Sequence, residues 1–229
     1  MHAQTALNFV SVFLSPPPLL RDSDFAELLL ERQAEIQVGN EDVARAGLAI
    51  TVGEFYLWYW LTRGDGFHVT KWIMRDFLQV LEAVSASDFI LLSRIGGLLD
   101  LRKSEALVFK HHASKYVGNY NYRSLAFLTR RADLLLMSTL GLNKEQCLDL
   151  LDWVVRTLSV NALAGEKAIP DRLKQRYPMA VVNQDWQAEV LAEVDAVLKQ
   201  RLGFADDELA FVMNRDWLGL SWGSADMAN

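Results

Sequence analysis

Residues 185–202 read DWQAEVLAEVDAVLKQRL, and Trp186, Val190, Leu191, Val194, Val197 and Leu198 recur there at three- and four-residue spacing. That period belongs to an amphipathic α-helix with one buried stripe. Gly203 follows directly, where helices commonly end in a left-handed glycine. Punctuation of the same kind recurs upstream. Asn143 and Gln146 form a capping-box pattern ahead of CLDLLDWVVRTLSVNALA, which Gly165 closes. Gly141 takes the C′ position of a helix from Tyr122 to Leu140, and Asp206 to Met213 reads as a short final helix.

The first half carries similar signals. Asp24 and Glu27 resemble a capping box opening FAELLLERQAEIQV, with Gly39 at its end. Asn40, Glu41 and Asp42 open a second helix, which runs on into Phe55-Tyr56-Leu57-Trp58-Tyr59-Trp60. That run is apolar nearly all round and is expected to sit centrally. Gly64-Asp65-Gly66 reads as a turn, and Thr70 caps a helix through Val84. Ser87 caps DFILLSRIGGLLDL, where Gly96-Gly97 implies close helix approach or a bend. Ser104 begins a helix EALVFKHHASKYV that Gly118-Asn119 stops, and Pro170 opens a short turn to Tyr177. Strand-like alternation is scarce, Met179 to Val182 being the best example. The expectation is all-α: one compact domain over 1–229 with about nine to eleven helices. The N-terminal segment 1–21, with its turn at Pro16-Pro17-Pro18, and the tail 216–229 are expected to be peripheral.

Composition bounds the function. The chain has 229 residues, 51% hydrophobic and 23% charged, which suffices for a sizeable core and argues against general disorder. Its single cysteine, Cys147, excludes an intramolecular disulfide framework and fits a reducing compartment. The apolar run Phe9 to Leu14 is short and no Lys or Arg precedes it, unlike a secretory signal. No window reaches the roughly 20 apolar residues that cross a bilayer. A cytoplasmic location is expected.

Charge is unevenly distributed. Residues 102–131 carry Arg102, Lys103, Lys110, Lys115, Arg123, Arg130 and Arg131 against Glu105 alone, although the chain as a whole is at −6. Such a stretch is either matched within the fold or a docking face for an acidic partner.

Sites of chemistry fail on spacing or on charge. His111 and His112 are adjacent, and on a helix adjacent residues point about 100° apart, so they cannot share a metal. Cys147 lies in an apolar stripe and reads as an inert buried thiol. Nucleophile elbows, phosphate-cradling loops and paired aspartates are absent from the sequence. Ala132 to Trp153 has the outline of a helix–turn–helix, but its second helix carries Glu145, Asp149 and Asp152 against Lys144 and Arg156, the wrong sign for phosphate contact. No catalytic residue, cofactor or metal is expected. Glu54, Tyr56 and Arg94 are the residues that would line a polar cavity if one existed.

Three stretches, in order, carry a family resemblance. Phe13-Leu14 leads to Pro18-Leu19-Leu20. Leu91-Leu92-Ser93-Arg94-Ile95-Gly96-Gly97-Leu98-Leu99 resembles a Leu-Leu-x-Arg-Leu-Gly-x-x-Leu helix. Ile169-Pro170-Asp171-Arg172-Leu173-Lys174-Gln175-Arg176-Tyr177-Pro178 is similar to a Pro-x-x-Leu-x-x-Arg-aromatic-Pro element. Together they resemble the cytoplasmic accessory proteins of type III secretion sorting platforms, the OrgA, MxiK and YscK type. The resemblance implies a non-enzymatic adaptor bridging the cytoplasmic domain of an inner-membrane ring to the sorting-platform pod, held at the membrane through partners and needing no nucleic acid. Such a bridge needs two docking surfaces. Arg102, Lys103, Lys110 and Lys115 are expected to form one, and the aromatics Trp217 and Trp222 the other. The alternatives are a helical nucleic-acid-binding regulator or a helical interaction protein of another system.

Overall fold

A computed structural model of the chain describes residues 5–9, 34–38, 40–64, 70–112, 115–120, 122–159, 166–168 and 181–214. The α-helices among the described residues are α1 (Glu41–Thr51), α2 (Glu54–Arg63), α3 (Lys71–Leu78), α4 (Ala86–Leu101), α5 (Ala126–Thr139), α6 (Lys144–Ser159), α7 (Gln184–Leu202) and α8 (Asp206–Asn214). Single 3₁₀ turns follow α3, follow α4 and precede α5. The body is helical, as the periodicity implies.

Two small antiparallel sheets accompany it. β1 (Thr5–Phe9) pairs with β2 (Ala34–Val38), and β3 (Leu107–His112) lies between β4 (Lys115–Tyr120) and β5 (Glu166–Ala168). These correct two helix expectations. The C-terminal part of FAELLLERQAEIQV is strand, its beginning at residues 24–33 lying outside the described residues. EALVFKHHASKYV is a 3₁₀ turn and a hairpin rather than a helix. Val108, Phe109, Tyr116, Val117 and Tyr120 are residue types that favour strands, and Ala113-Ser114 separates the two runs. Gly118 is one residue of β4, not a helix stop.

The core is organised around α5. Ten consecutive residues, Leu128 to Met137, are buried, including Arg130, Arg131 and Asp133. α5 touches α1, α2, α4, α6, α7 and α8. The aromatic run 55–60, expected to sit centrally, does so along one side: Phe55, Tyr56 and Trp60 are in the core, while Leu57, Trp58 and Tyr59 are partly exposed and pack against it. Phe55 stacks on Trp58, and Phe55 and Tyr56 meet Phe77 of α3 edge-on, so the run forms an aromatic flank. Helix α4 is the second inner element. α1 packs on it more extensively than any other pair of elements meets, because Gly96 lies against the Arg45 backbone: a Cβ there would stand 1.8 Å from the Arg45 carbonyl oxygen. Gly97 is not so constrained, its nearest neighbour being a Trp186 ring atom at 3.5 Å.

Local punctuation is realised at several ends. Asn143 and Gln146 bond reciprocally at 2.9 and 3.0 Å, completing the capping box. Gly141 is left-handed, and Gly141 N–H to Ser138 O with Leu142 N–H to Met137 O makes a Schellman ending of α5. Gly203 ends α7 in the same conformation. Asn40 accepts from the Val43 amide at the start of α1. The cap of α4 is Ser85 rather than Ser87, its hydroxyl accepting from the Asp88 amide. The helix opened by Thr70 stops at Leu78 and tightens into 3₁₀ over Gln79–Ala83. Val181 and Val182, read as the end of the best strand candidate, have no regular structure. Residues 16–18, 160–165, 170–177 and 216–229 lie outside the described residues.

Candidate functional site

Helix α2 begins at Gly53, which has no side chain to cap it. The cap comes from α5. The Glu54 amide donates to Asp133 Oδ2 at 2.7 Å, and the Phe55 amide also bonds this carboxyl. A Cβ on Gly53 would fall 2.3 Å from Asp133 Oδ1, so glycine is what lets the carboxyl reach the helix terminus. This tertiary cap splits the single helix expected over 41–60 into α1 and α2. Asp133 is fully buried, and burial, the charge of Glu54 and a hydrogen bond with the Glu54 side chain push its carboxyl well above the usual carboxylate range. Asp133 Oδ1 and Glu54 Oε2 are both buried and without a donor. A proton on Asp133 donated to Glu54 would satisfy both. Arg130 Nε faces Glu54 Oε1 at 3.6 Å, and its Nη1 donates to the Val212 carbonyl at 3.0 Å in the last turn of α8. Tyr56 turns a buried, unpartnered hydroxyl into the same interior, where burial raises its pKa.

Arg94, grouped with Glu54 and Tyr56 as a cavity residue, lies elsewhere. It joins α4 to α7 through Glu189 at 2.6 Å and through Glu193. Two further arginines clasp α7 to its neighbours, Arg131 from α5 and Arg201 from α7 itself onto α4. Arg131 forks onto Asp195 with bonds of 2.7 and 2.8 Å. Arg201 forks onto buried Asp88 with bonds of 2.7 and 2.8 Å, and the Thr139 hydroxyl adds a third donor at 2.9 Å. Planar two-point pairing of this kind is the strong form of an ion pair. Burial works to raise Asp88, but Arg201, Thr139 and Ser85 outweigh it and hold the carboxyl below its ordinary value.

The stretch expected to be a basic docking helix is therefore divided. Arg130 and Arg131 are buried and paired inward. Arg102 bonds Glu105 and Gln187, all at 2.8 Å, and lies 5.0 Å over the Phe127 ring. Lys103 pairs with Asp100 at 2.8 Å on the surface. Lys110 and Lys115 are in the hairpin, not on a helix; Lys110 stands opposite Val117 and Glu166, and Lys115 opposite His112. His111 and His112 are successive strand positions, which belong to opposite sheet faces. Trp217 and Trp222 lie outside the described residues. Cys147 is buried, and burial pushes its thiol up to about 11.

Among the described residues no group of three or more His, Cys, Asp or Glu is placed to hold a metal, and no helix is long and apolar enough to cross a membrane. The most chemically unusual arrangement is the Asp133–Glu54 pair, which is closed from water at Asp133 and built to cap a helix. A surface feature passed over in the sequence is Trp72, 59% exposed on α3. Its signal is visible in KWIMRDFL, where Ile73, Met74 and Phe77 form the buried stripe and the tryptophan stands outside it. No protein-family model, curated protein or solved structure matches the chain.

Proposed function

We propose that this chain is a non-enzymatic helical adaptor in a protein-secretion assembly, bridging the cytoplasmic domain of a membrane ring to a sorting platform. The observation that carries the reading is where the middle resemblance motif lies. Leu91 to Leu99 is the inner length of α4, with Leu91, Leu92, Ile95, Leu98 and Leu99 buried. Its arginine clasps α7, and its first glycine admits the α1 backbone. Within this motif the buried leucines, the arginine and the first glycine each have a job in assembling the body, which is what supports the reading. A scaffold of arginine-clasped helices around a buried α5 suits a rigid spacer. The test is co-elution on size exclusion of the purified chain with the cytoplasmic domain of the ring protein and with the pod protein. Formation of both complexes supports the adaptor; elution of all three as free species overturns it. Charge reversal at Lys103, Lys110 and Lys115 together is expected to weaken one of the two complexes.

A further inference from the structure

Among the described residues, nearly every cation meets a carboxylate: Arg45 with Glu41, Arg94 with Glu189 and Glu193, Arg102 with Glu105, Lys103 with Asp100, Lys144 with Glu208 and Arg201 with Asp88. In a chain with six more acidic than basic residues this is the expected outcome. Arg63 turns to the Tyr59 hydroxyl instead, and Lys71 and Arg75 break the pattern outright. Both are exposed on α3 and neither has a carboxylate within ion-pair distance among the described residues. They are i and i+4, one helical turn apart, and Trp72 lies beside them, three residues before Arg75. The remaining acid on this helix, Asp76, is taken by the Tyr59 hydroxyl, which Arg63 also approaches. The result is a half-exposed indole between two unmatched cations, on a helix whose other face is anchored by Ile73, Met74 and Phe77. Tryptophan and arginine together are the composition of binding hot spots, and unmatched charge selects the sign of the partner.

We infer that the outer face of α3, comprising Lys71, Trp72 and Arg75, docks an acidic segment of a partner protein that offers carboxylates one helical turn apart beside an apolar side chain. The inference goes beyond the adaptor reading. It fixes the chemistry of one contact and holds whether or not the assembly is a secretion machine. The partner's carboxylates meet Lys71 and Arg75, and its apolar group covers the indole, removing from water the largest exposed ring on this face.

The test uses the full chain and three probes of defined chemistry: a fluorescein-labelled amphipathic peptide of Glu, Leu and Ala; its counterpart with Lys in place of Glu; and a random-sequence DNA duplex. Anisotropy titrations are expected to show binding of the Glu peptide alone, weakening as salt is raised. Lys71→Glu with Arg75→Glu is expected to reduce affinity at least about 10-fold, and Trp72→Ala about 30-fold, the scale of a hot spot. All three positions are exposed, so thermal melts of the variants are expected to superimpose on the parent and to exclude misfolding as the cause. Failure of the Glu peptide to bind, binding that survives both sets of substitutions, or tighter binding of the duplex through the same residues would each overturn the inference. Absence of co-elution with ring and pod proteins, by contrast, bears on the adaptor reading alone.

Discussion

Asp88 and Asp133 are both buried and both lie at the start of a helix, yet their surroundings treat the carboxyl in opposite ways. Asp88, in the first turn of α4, receives a forked arginine from α7 and a threonine hydroxyl from α5, and is held ionised. Asp133 reaches from α5 to cap α2 and meets Glu54 instead of a cation, and its pKa is pushed well above the ordinary carboxylate range. Burial disfavours charge at both; the difference is whether a neighbour supplies the opposite charge. On the α4–α7 side the fold fastens helices with paired charge. On the α2–α5 side it does so with a carboxyl capping a helix beside a second carboxyl.

The pH consequences have opposite sign. Asp88, with a depressed folded pKa, adds stability that is present above its unfolded pKa and is lost as pH falls through the folded value. Asp133, with a raised folded pKa, adds stability that is complete below its unfolded pKa and is lost as pH rises through the folded value.

The largest effect is expected from removing the cation that distinguishes the two. Arg201→Met leaves Asp88 buried with only the Thr139 and Ser85 hydroxyls and is expected to cost about 3 kcal/mol in urea melts at neutral pH. It is also expected to turn Asp88 into a second Asp133, with stability that falls as pH rises above the unfolded carboxylate pKa, where the parent's Asp88 contribution is flat. Gly53→Ala attacks the other site. Its methyl collides with the Asp133 carboxyl, and the loss of the tertiary cap together with overpacking is expected to cost about 2 kcal/mol by thermal melting.

Asp133→Asn sharpens the contrast by placing a permanent donor beside Glu54. The amide oxygen can accept from Glu54 N–H while its NH₂ donates to Glu54 Oε2, so a gain of about 1 kcal/mol at pH 8 and a flatter pH–stability profile are expected. The smallest effect is expected where charge fastens nothing: Lys71→Glu with Arg75→Glu should leave the unfolding free energy from urea melts within about 0.5 kcal/mol of the parent.

These sites also show which parts of the molecule were legible in its sequence. The capping box at Asn143 and Gln146, the left-handed glycines 141 and 203 and the stripe of α7 were readable because every partner lies within a few residues. The break at Gly53 was not, because its cap is 80 positions away along the chain and supplied by tertiary packing. The charges of α5 read as surface because Arg130, Arg131 and Asp133 are normally exposed types. What buries them is Asp195, Glu54 and the carbonyls of α8, none of them local. The hairpin 107–120 escaped notice because its residues alternate weakly, and its pairing with β5 brings in residues more than 50 positions away. At the candidate docking surfaces, sequence counted charges without seeing that Arg102, Arg130 and Arg131 face inward partners. It missed Lys71 and Arg75, which stand out only when the other cations are seen to be matched.

The adaptor account is tested most directly in cells that make the secretion assembly. A fluorescently tagged full-length chain is predicted to gather in foci at the membrane, and these foci are predicted to disperse when the ring protein's gene is deleted. Diffuse fluorescence in both strains, or foci that persist without the ring, would contradict it.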